Sequence, residues 1–523
     1  MYVKDRGEKM QRTQKSIYNV SVTLITNVFI LGTAFLVQKA LVSTMGADYN
    51  GINGLFTSII SMMSLTDLGI GSAIIYHLYR PAAENNYEEI NSLLKFYRHS
   101  YMLISFVVLL IGSVIMLFMP QLVGTIKISD NLYLIFVLFM VDCLSSYFLS
   151  YKKSLLYAYQ MSFILDGIHF LYYILQNMIQ LAVLWYYKSY IGFLVIKTLS
   201  KWIENITISI YIRQHYSFTR EKKVKELKED IKSDIFVKIK ALLFHRLGRL
   251  FVTGSDSLVI TGVLGIYQMN LYTNYHLIVG GVTALLNKIF ETLTYSVGNF
   301  LLESSKERNR EVYRKIDFLN FWVFGLSTVI LYNTLQPMVS LWLGDDFLVS
   351  KIILFMFVLN FYQEGMRVSI ITFKDAAGIY YTDRYVPLVE AVINVIISVV
   401  LAKILGMAGV FAGTIISSGV VYFYSYPKYV CAPLFNMSKR EYLGRLSIYA
   451  AMVVTVLFSA EFILNLFRIE NRWLEMIGGV LISTLVFHFA VFCLYRKSQE
   501  MIYFRMLIRK EIQTLHRRFG KEG

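Results

Sequence analysis

The sequence predicts an all-α polytopic membrane protein with about fourteen transmembrane helices. Three observations carry the prediction: a mean hydropathy of +0.52, apolar residues at 56% of 523 positions, and recurrent apolar runs of about 18 residues or more, the length that crosses a bilayer. Six prolines and few polar loops leave no room for a soluble domain. A net charge of +16 would suit nucleic acid if the cations shared one folded face. They lie instead in short loops between apolar segments, so no nucleic acid is expected and a bilayer with anionic lipids is.

In chain order the apolar segments are expected at roughly 17–42, 52–79, 101–119, 131–151, 163–186, 189–212, 241–265, 271–302, 317–336, 348–372, 385–405, 408–427, 446–467 and 473–495, with ends uncertain by about four residues. Of 51 Lys and Arg, 38 fall in the N-terminal stretch, the even-numbered connections and the C-terminal tail. Six lie in or beside the odd-numbered connections, and seven inside helices. By the positive-inside rule this asymmetry puts both termini in the cytoplasm, and a miscounted helix in mid-chain would scramble it. Residues 1–16 are polar and basic; the apolar run after them is too long for a signal peptide and lacks a small-residue cleavage site, so an uncleaved first helix is expected. Cys143, Cys431 and Cys493 have no CxxC or Cys/His spacing, which predicts neither disulfide nor metal site.

The chain also repeats. LVSTMG ends the first segment at Gly46 and LVITGVLG ends the seventh at Gly265; Tyr76 and Tyr295 keep the same offset of 219 residues, and Glu89-Ile90 and Glu311-Val312 follow at 222. This reads as two six-helix lobes, 1–212 and 241–430, related as parallel repeats about an axis along the membrane normal, with a substrate site between them. The stretch 213–240, with TREKKVKELKEDIKSD, is expected as a solvated basic linker on the cytoplasmic surface. Helices 13 and 14, within 431–495, stand outside the repeat. The tail 496–523 places Met501, Phe504, Leu507, Ile508 and Ile512 at helical spacing among basic residues, the pattern of a cytoplasmic helix lying on the inner leaflet.

Charges inside apolar segments carry the functional argument, because each costs about 2.5–3.5 kcal/mol at the bilayer centre unless it meets water or a partner. In the seventh segment Arg246, Arg249, Thr253 and Asp256 fall within about 80° of one another on a helix. Two cations near the cytoplasmic end suit a port for a phosphate, and the deeper carboxylate suits an ion site; salt bridging is the competing reading. Lys197, Lys201 and Glu204 share a face of the sixth segment, where an internal ion pair to Glu204 competes with substrate contact. Lys39, beside Gln38, and Lys288, near Glu291, add positive field, although Lys39 lies near an outer end and is able to snorkel. Glu364 with Asn360 and Arg367, and Glu390 with Asn394, form further stripes; Asp256, Glu291, Glu364 and Glu390 are candidates for coupling Na⁺ or H⁺. Asp142 and Asp166 are placed by the same reasoning in capping or helix pairing. Asp67, Gly69 and Gly71 mark a stretch suited to close packing or local unwinding.

The run MGADYNGINGLFTSIISMMSLTDLGIGSAIIYHLYRPAAEN from Met45 to Asn85, together with RLFVTGSDSLVIT from Arg249 to Thr261, resembles the polysaccharide repeat-unit (Wzx-type) flippases of the multidrug/oligosaccharidyl-lipid/polysaccharide exporter superfamily. The resemblance spans essentially the whole chain. It implies two six-helix bundles facing each other in a V, and movement of undecaprenyl-diphosphate-linked oligosaccharide from the cytoplasmic to the outer leaflet of a bacterial cytoplasmic membrane for capsule, exopolysaccharide or O-antigen synthesis, with a polysaccharide polymerase as a possible partner. Relatives place basic residues in the central cavity. Here only Lys39 of the Gln38-Lys39 pair is charged, which shifts the diphosphate role towards Arg246 and Arg249.

Two other transporter readings stay open: a peptidoglycan lipid-precursor flippase and a Na⁺- or H⁺-coupled multidrug antiporter. The antiporter would be expected to have a cavity dominated by carboxylates, whereas cations and anions are balanced here. An enzyme acting on lipid-linked sugars would need catalytic groups on a sizeable outer loop, and no outer loop is predicted to exceed about fifteen residues. No Walker motif, Gly-rich nucleotide loop or metal cluster occurs, so neither cofactor nor direct use of ATP is expected.

Overall fold

Each of the fourteen predicted segments falls on a helix. A computed structural model describes residues 12–64, 70–124, 126–221, 224–379, 381–467, 469–507 and 509; the side chains of 12–25, 27, 28, 70, 72, 73, 238–247, 249, 250, 253, 292, 295, 296, 299, 302 and 303 are outside the description. The first helix is Arg12–Met45, and the second segment is Ala47–Met63 followed by Ile70–Glu84. The third to eighth are Tyr87–Leu117, Leu132–Ser145, Ser162–Ala182, Tyr190–His215, Glu229–Val259 and Ile266–Glu303. The ninth to eleventh are Lys306–Leu343, Lys351–Ala376 and Val386–Leu405; the twelfth opens as Met407–Ser417, and Lys439–Leu466 and Arg472–Tyr495 complete the set. Among the described residues eight helices are long and apolar enough to cross a membrane by length and composition, and no strand occurs. The chain is a multi-pass, all-helical membrane protein.

The helices overrun the predicted segments at their charged ends. The third begins at Tyr87 rather than near 101, the seventh at Glu229 rather than near 241, and the ninth at Lys306 rather than near 317. Hydropathy registers only the lipid-embedded length, whereas Glu, Lys and Arg are good helix formers in water. Capping sets the true starts: Asn86 accepts from the Glu89 amide at 3.2 Å while donating to the Glu89 side chain at 2.9 Å, a reciprocal box, and Ser305 accepts from the Arg308 amide at 3.4 Å.

The stretch predicted as a solvated linker is docked. Phe218 stacks on Tyr87 with ring centroids 4.4 Å apart, Asn91 donates to the Phe218 carbonyl at 2.8 Å, and Lys225 pairs with Glu88 at 2.6 Å. Leu227 and Ile235 are buried. Burial of these apolar positions supplies what a purely charged linker lacks, a reason to hold one conformation. The tail differs in the same way. Met501 is buried, Phe504 lies 6.3 Å from Phe318, and Glu500 pairs with Arg445 at 3.2 Å. At least these positions face protein rather than lipid; Ile508 and Ile512 lie outside the described residues.

Packing divides the chain into two compact units, residues 1–274 with 387–410, and residues 275–386 with 411–523. This division follows contacts, whereas the expected lobes follow the repeat, so the seventh helix, the start of the eighth and most of the eleventh pack in the first unit. There, Phe56 meets Phe136 and Phe139 edge-on at 5.1 and 5.7 Å. In the second unit Phe321 stacks on Tyr449 at 4.1 Å and Tyr313 on Phe435 at 4.5 Å.

Two glycines of the expected repeat share a backbone conformation. Gly46 (φ 92°, ψ −179°) and Gly265 (φ 92°, ψ 170°) turn the chain identically from the first helix into the second segment and from the seventh into the eighth. Only glycine adopts this geometry without strain. Gly46→Ala and Gly265→Ala are each expected to lower stability by about 1–3 kcal/mol in detergent melts. Gly262→Ala, where a Cβ meets nothing within 4 Å, serves as the neutral control.

Candidate functional site

The charges inside the first unit gather at two places, and the first is the seam of the seventh and eleventh helices. A Cβ on Gly248 would lie 2.3 Å from the Pro387 side chain, and seven residues further along both helices Ser255 Oγ donates to Asn394 Oδ1 at 2.8 Å. Equal spacing on both helices means that they run parallel for about two turns. Asp256, beside Ser255, is 5% exposed; Glu390, one turn before Asn394, is 2% exposed and Asn394 fully buried. Each of the two helices joined by this hydrogen bond thus also carries a buried carboxylate. Carboxylates at such depth in apolar helices are candidates for binding a small cation. Arg246 and Arg249 sit on this same seventh helix, two to three turns nearer its N-terminal end than Asp256; their side chains, like that of Thr253, are outside the description.

Beside the matched turns lies a cluster of four buried amides. Gln38 Nε2 donates to Asn50 Oδ1 at 2.6 Å and to Asn274 Oδ1 at 2.9 Å; Asn50 Nδ2 donates to Asn270 Oδ1 at 2.7 Å and to Asn274 Oδ1 at 3.0 Å. Asn50, Asn270 and Asn274 are fully buried. The helices reach this proximity because glycine lines the contact: a Cβ on Gly54 would fall 2.0 Å from Thr273 Oγ1. Lys39, next to Gln38, is exposed, about 100° round the first helix from it.

The second gathering of charge joins the fourth, fifth and sixth helices. Lys201 reaches Asp142 at 3.4 Å, Lys197 lies over the Phe139 ring at 4.9 Å, and Glu204 is held by Lys153 at 3.4 Å and His169 at 3.1 Å. Of the two alternatives for this face, the internal pair of Lys197 or Lys201 with Glu204 is not the one seen: neighbouring helices supply the partners of Lys201 and Glu204. The helical period put these residues on one face, but it gave no information about what packs against that face.

The remaining candidates are dispersed. Lys288 and Glu291 form an exposed pair at 2.7 Å one turn apart, an arrangement worth little energy. Glu364 is half-buried near Arg367, whose Nε donates to the Tyr426 hydroxyl at 3.0 Å. Asp67 and Gly69 lie outside the described residues, while a Cβ on Gly71 would come 2.8 Å from the Tyr97 hydroxyl. Among the described residues no group of three or more His, Cys, Asp or Glu is arranged to hold a metal.

Sequence reasoning missed three polar centres. Asn270 and Asn274 in YQMNLYTNYHL show an i, i+4 amide pair in an apolar run, a signal that was legible. In the second unit Asp317, 2% exposed, accepts from Ser369 at 2.9 Å and faces Arg445 at 3.6 Å. Lys374 pairs with buried Asp383, which also accepts from Ser425 at 3.0 Å. These last two are tertiary meetings with no local pattern.

No protein-family model matches the chain, and no curated protein matches it in sequence. Solved structures do. The lipid II flippase MurJ in an inward closed conformation superposes with a TM-score of 0.62 at 16% identity, over 92% of this chain and 99% of that one. An inward-facing multidrug resistance MATE family transporter of the MOP superfamily gives 0.55 at 13% identity, over 76% and 94%. MATE in complex with MaD3S gives 0.50 at 14%, over 76% and 91%. The chain has this MOP/MATE-like fold, and the proteins named are transporters rather than enzymes. Asn50→Leu, which strips partners from three buried amides, is expected to cost about 1–3 kcal/mol; a melting curve matching the parent would refute the network.

Proposed function

We propose that the chain flips undecaprenyl-diphosphate-linked oligosaccharide repeat units from the inner to the outer leaflet of a bacterial cytoplasmic membrane, by alternating access coupled to Na⁺ or H⁺. The observation that carries the coupling is the burial of Asp256 and Glu390 beside the Ser255–Asn394 bond. In this reading an ion neutralises the seam in one state and leaves it in the other, and that difference in affinity is what shifts the two-state balance. Glu291 and Glu364 are secondary candidates.

The substrate assignment rests on the resemblance carried by residues 45–85 and 249–261, and on chemistry. A diphosphate with its sugars cannot cross hydrocarbon bare, since each unsatisfied polar group costs several kcal/mol there. Arg246 and Arg249 are assigned to attract the diphosphate, with Lys39 and Lys288 extending the positive field. Lys197 and Lys201 take a lesser role, because Lys201 already has a carboxylate partner and Lys197 a ring. Both termini are assigned to the cytoplasm by loop charge, and capsule, exopolysaccharide or O-antigen assembly is the destination. A second reading, transport of a peptidoglycan lipid precursor, is favoured by the likeness to the lipid II flippase.

The test is flipping of a fluorescent undecaprenyl-diphosphate oligosaccharide in proteoliposomes, with and without an imposed Na⁺ or H⁺ gradient and with lipid II as competitor. Gradient-stimulated flipping that lipid II does not inhibit supports the proposal; efficient competition favours the second reading. Movement of a cationic dye without lipid flipping sinks both.

Two sets of variants sharpen it. Asp256→Asn and Glu390→Gln are expected to abolish the gradient stimulation while a gradient-independent rate survives. Arg246→Ala is expected to fall to the protein-free background, with Arg246→Lys partly active because a point charge replaces a bidentate fork; unimpaired flipping by Arg246→Ala would remove the arginine from the port.

A further inference from the structure

A cavity of about 430 Å³ opens between the third and fourth helices, lined by Met102, Phe106, Leu109 and Phe148 with Arg98 and Tyr151 at one end. It exists because the fourth helix breaks. After Ser145 the chain turns through Leu149 in a left-handed conformation (φ 62°) before a short helical turn at Ser150–Lys152. The groove's apolar side chains remain exposed: Met102, Phe106 and Phe148 at 51%, 59% and 46%.

One end of the groove is cationic. Arg98 is exposed, and Lys152, whose Nζ donates to Ser209 Oγ at 2.6 Å, feels the charges of both Arg98 and Arg213. Among the described residues none of these three cations has a carboxylate within ion-pair distance, whereas their neighbours Lys153 and Lys201 do. Three like charges held together without an anion raise the local potential and favour an anionic ligand.

The dimensions select the ligand. From Arg98 to Leu109 the third helix rises about 16 Å, roughly half of a 30 Å hydrocarbon core. With the orientation that loop charges give, Arg98, Lys152 and Arg213 lie at the inner headgroup level and the groove descends one leaflet. We infer that this groove is a binding site for an anionic glycerophospholipid of the inner leaflet, its phosphate against Arg98, Lys152 and Arg213 and one acyl chain between the third and fourth helices. The inference rests on the orientation and not on which substrate is transported.

Native mass spectrometry of the full chain in detergent tests it, with phosphatidylglycerol, phosphatidylethanolamine and undecaprenyl phosphate as probes. The parent is expected to retain phosphatidylglycerol over phosphatidylethanolamine. Arg98→Gln/Lys152→Gln is expected to weaken that retention about tenfold or more, the scale of two interfacial cations. Leu109→Trp, on a lipid-exposed position, fills the groove without touching charge and is expected to lower retention as well; it carries the test if the charge variant fails to fold. Equal retention of both phospholipids by the parent, or unchanged retention in a folded variant, overturns the inference. So does displacement of phosphatidylglycerol by equimolar undecaprenyl phosphate, which would mark a substrate site instead.

Discussion

A polar group held within a bilayer must find its partner inside the protein, and this constraint organises the chain more than any apolar contact does. Lipid tails are as apolar as leucine, so burying leucine between membrane helices gains little beyond packing, while an amide or carboxylate left unpaired costs several kcal/mol. Helices therefore associate where their polar residues meet. Gln38 and Asn50 bring the first two segments to the eighth helix through Asn270 and Asn274, Lys201 ties the sixth to the fourth through Asp142, and Arg445 ties the thirteenth to the ninth through Asp317.

These centres differ in what they are able to do. Lys201 with Asp142, Glu204 with Lys153 and His169, and Lys374 with Asp383 set opposite charges together, and a neutralised pair has little left to offer a ligand. The seam of the seventh and eleventh helices instead buries Asp256 and Glu390 on two helices joined by one neutral hydrogen bond. The proposed ion coupling rests on the depth of that burial in apolar helices.

The architecture was largely legible because bilayer thickness and loop charge act on long stretches of sequence at once. Hydropathy places fourteen segments, each of which falls on a helix, and the spacing of the glycines at 46 and 265 picks out two turns of the same backbone conformation. The ends of helices were not, since the third, seventh and ninth continue into water where hydropathy falls silent and caps such as Asn86 decide. Within the site, the stripe on the seventh helix led to Asp256, but its tie to the eleventh helix through Ser255 and Asn394 needed packing. The Lys201–Asp142 pair shows the general limit: a helical period tells which residues look the same way, and only the fold tells what they look at.

The seventh helix runs unbroken for 31 residues from Glu229 to Val259, about 46 Å of rod at 1.5 Å per residue. One end is moored at its N-terminal turns, where His77 contacts Asp234 at 3.1 Å; the other carries Asp256. A rod without a joint transmits tilt as a lever does, so displacement at its moored end and displacement at its buried carboxylate are two readings of one coordinate. An antibody fragment or peptide that grips the surface around residues 225–236 would then act as a brake, reaching the buried seam without entering the membrane.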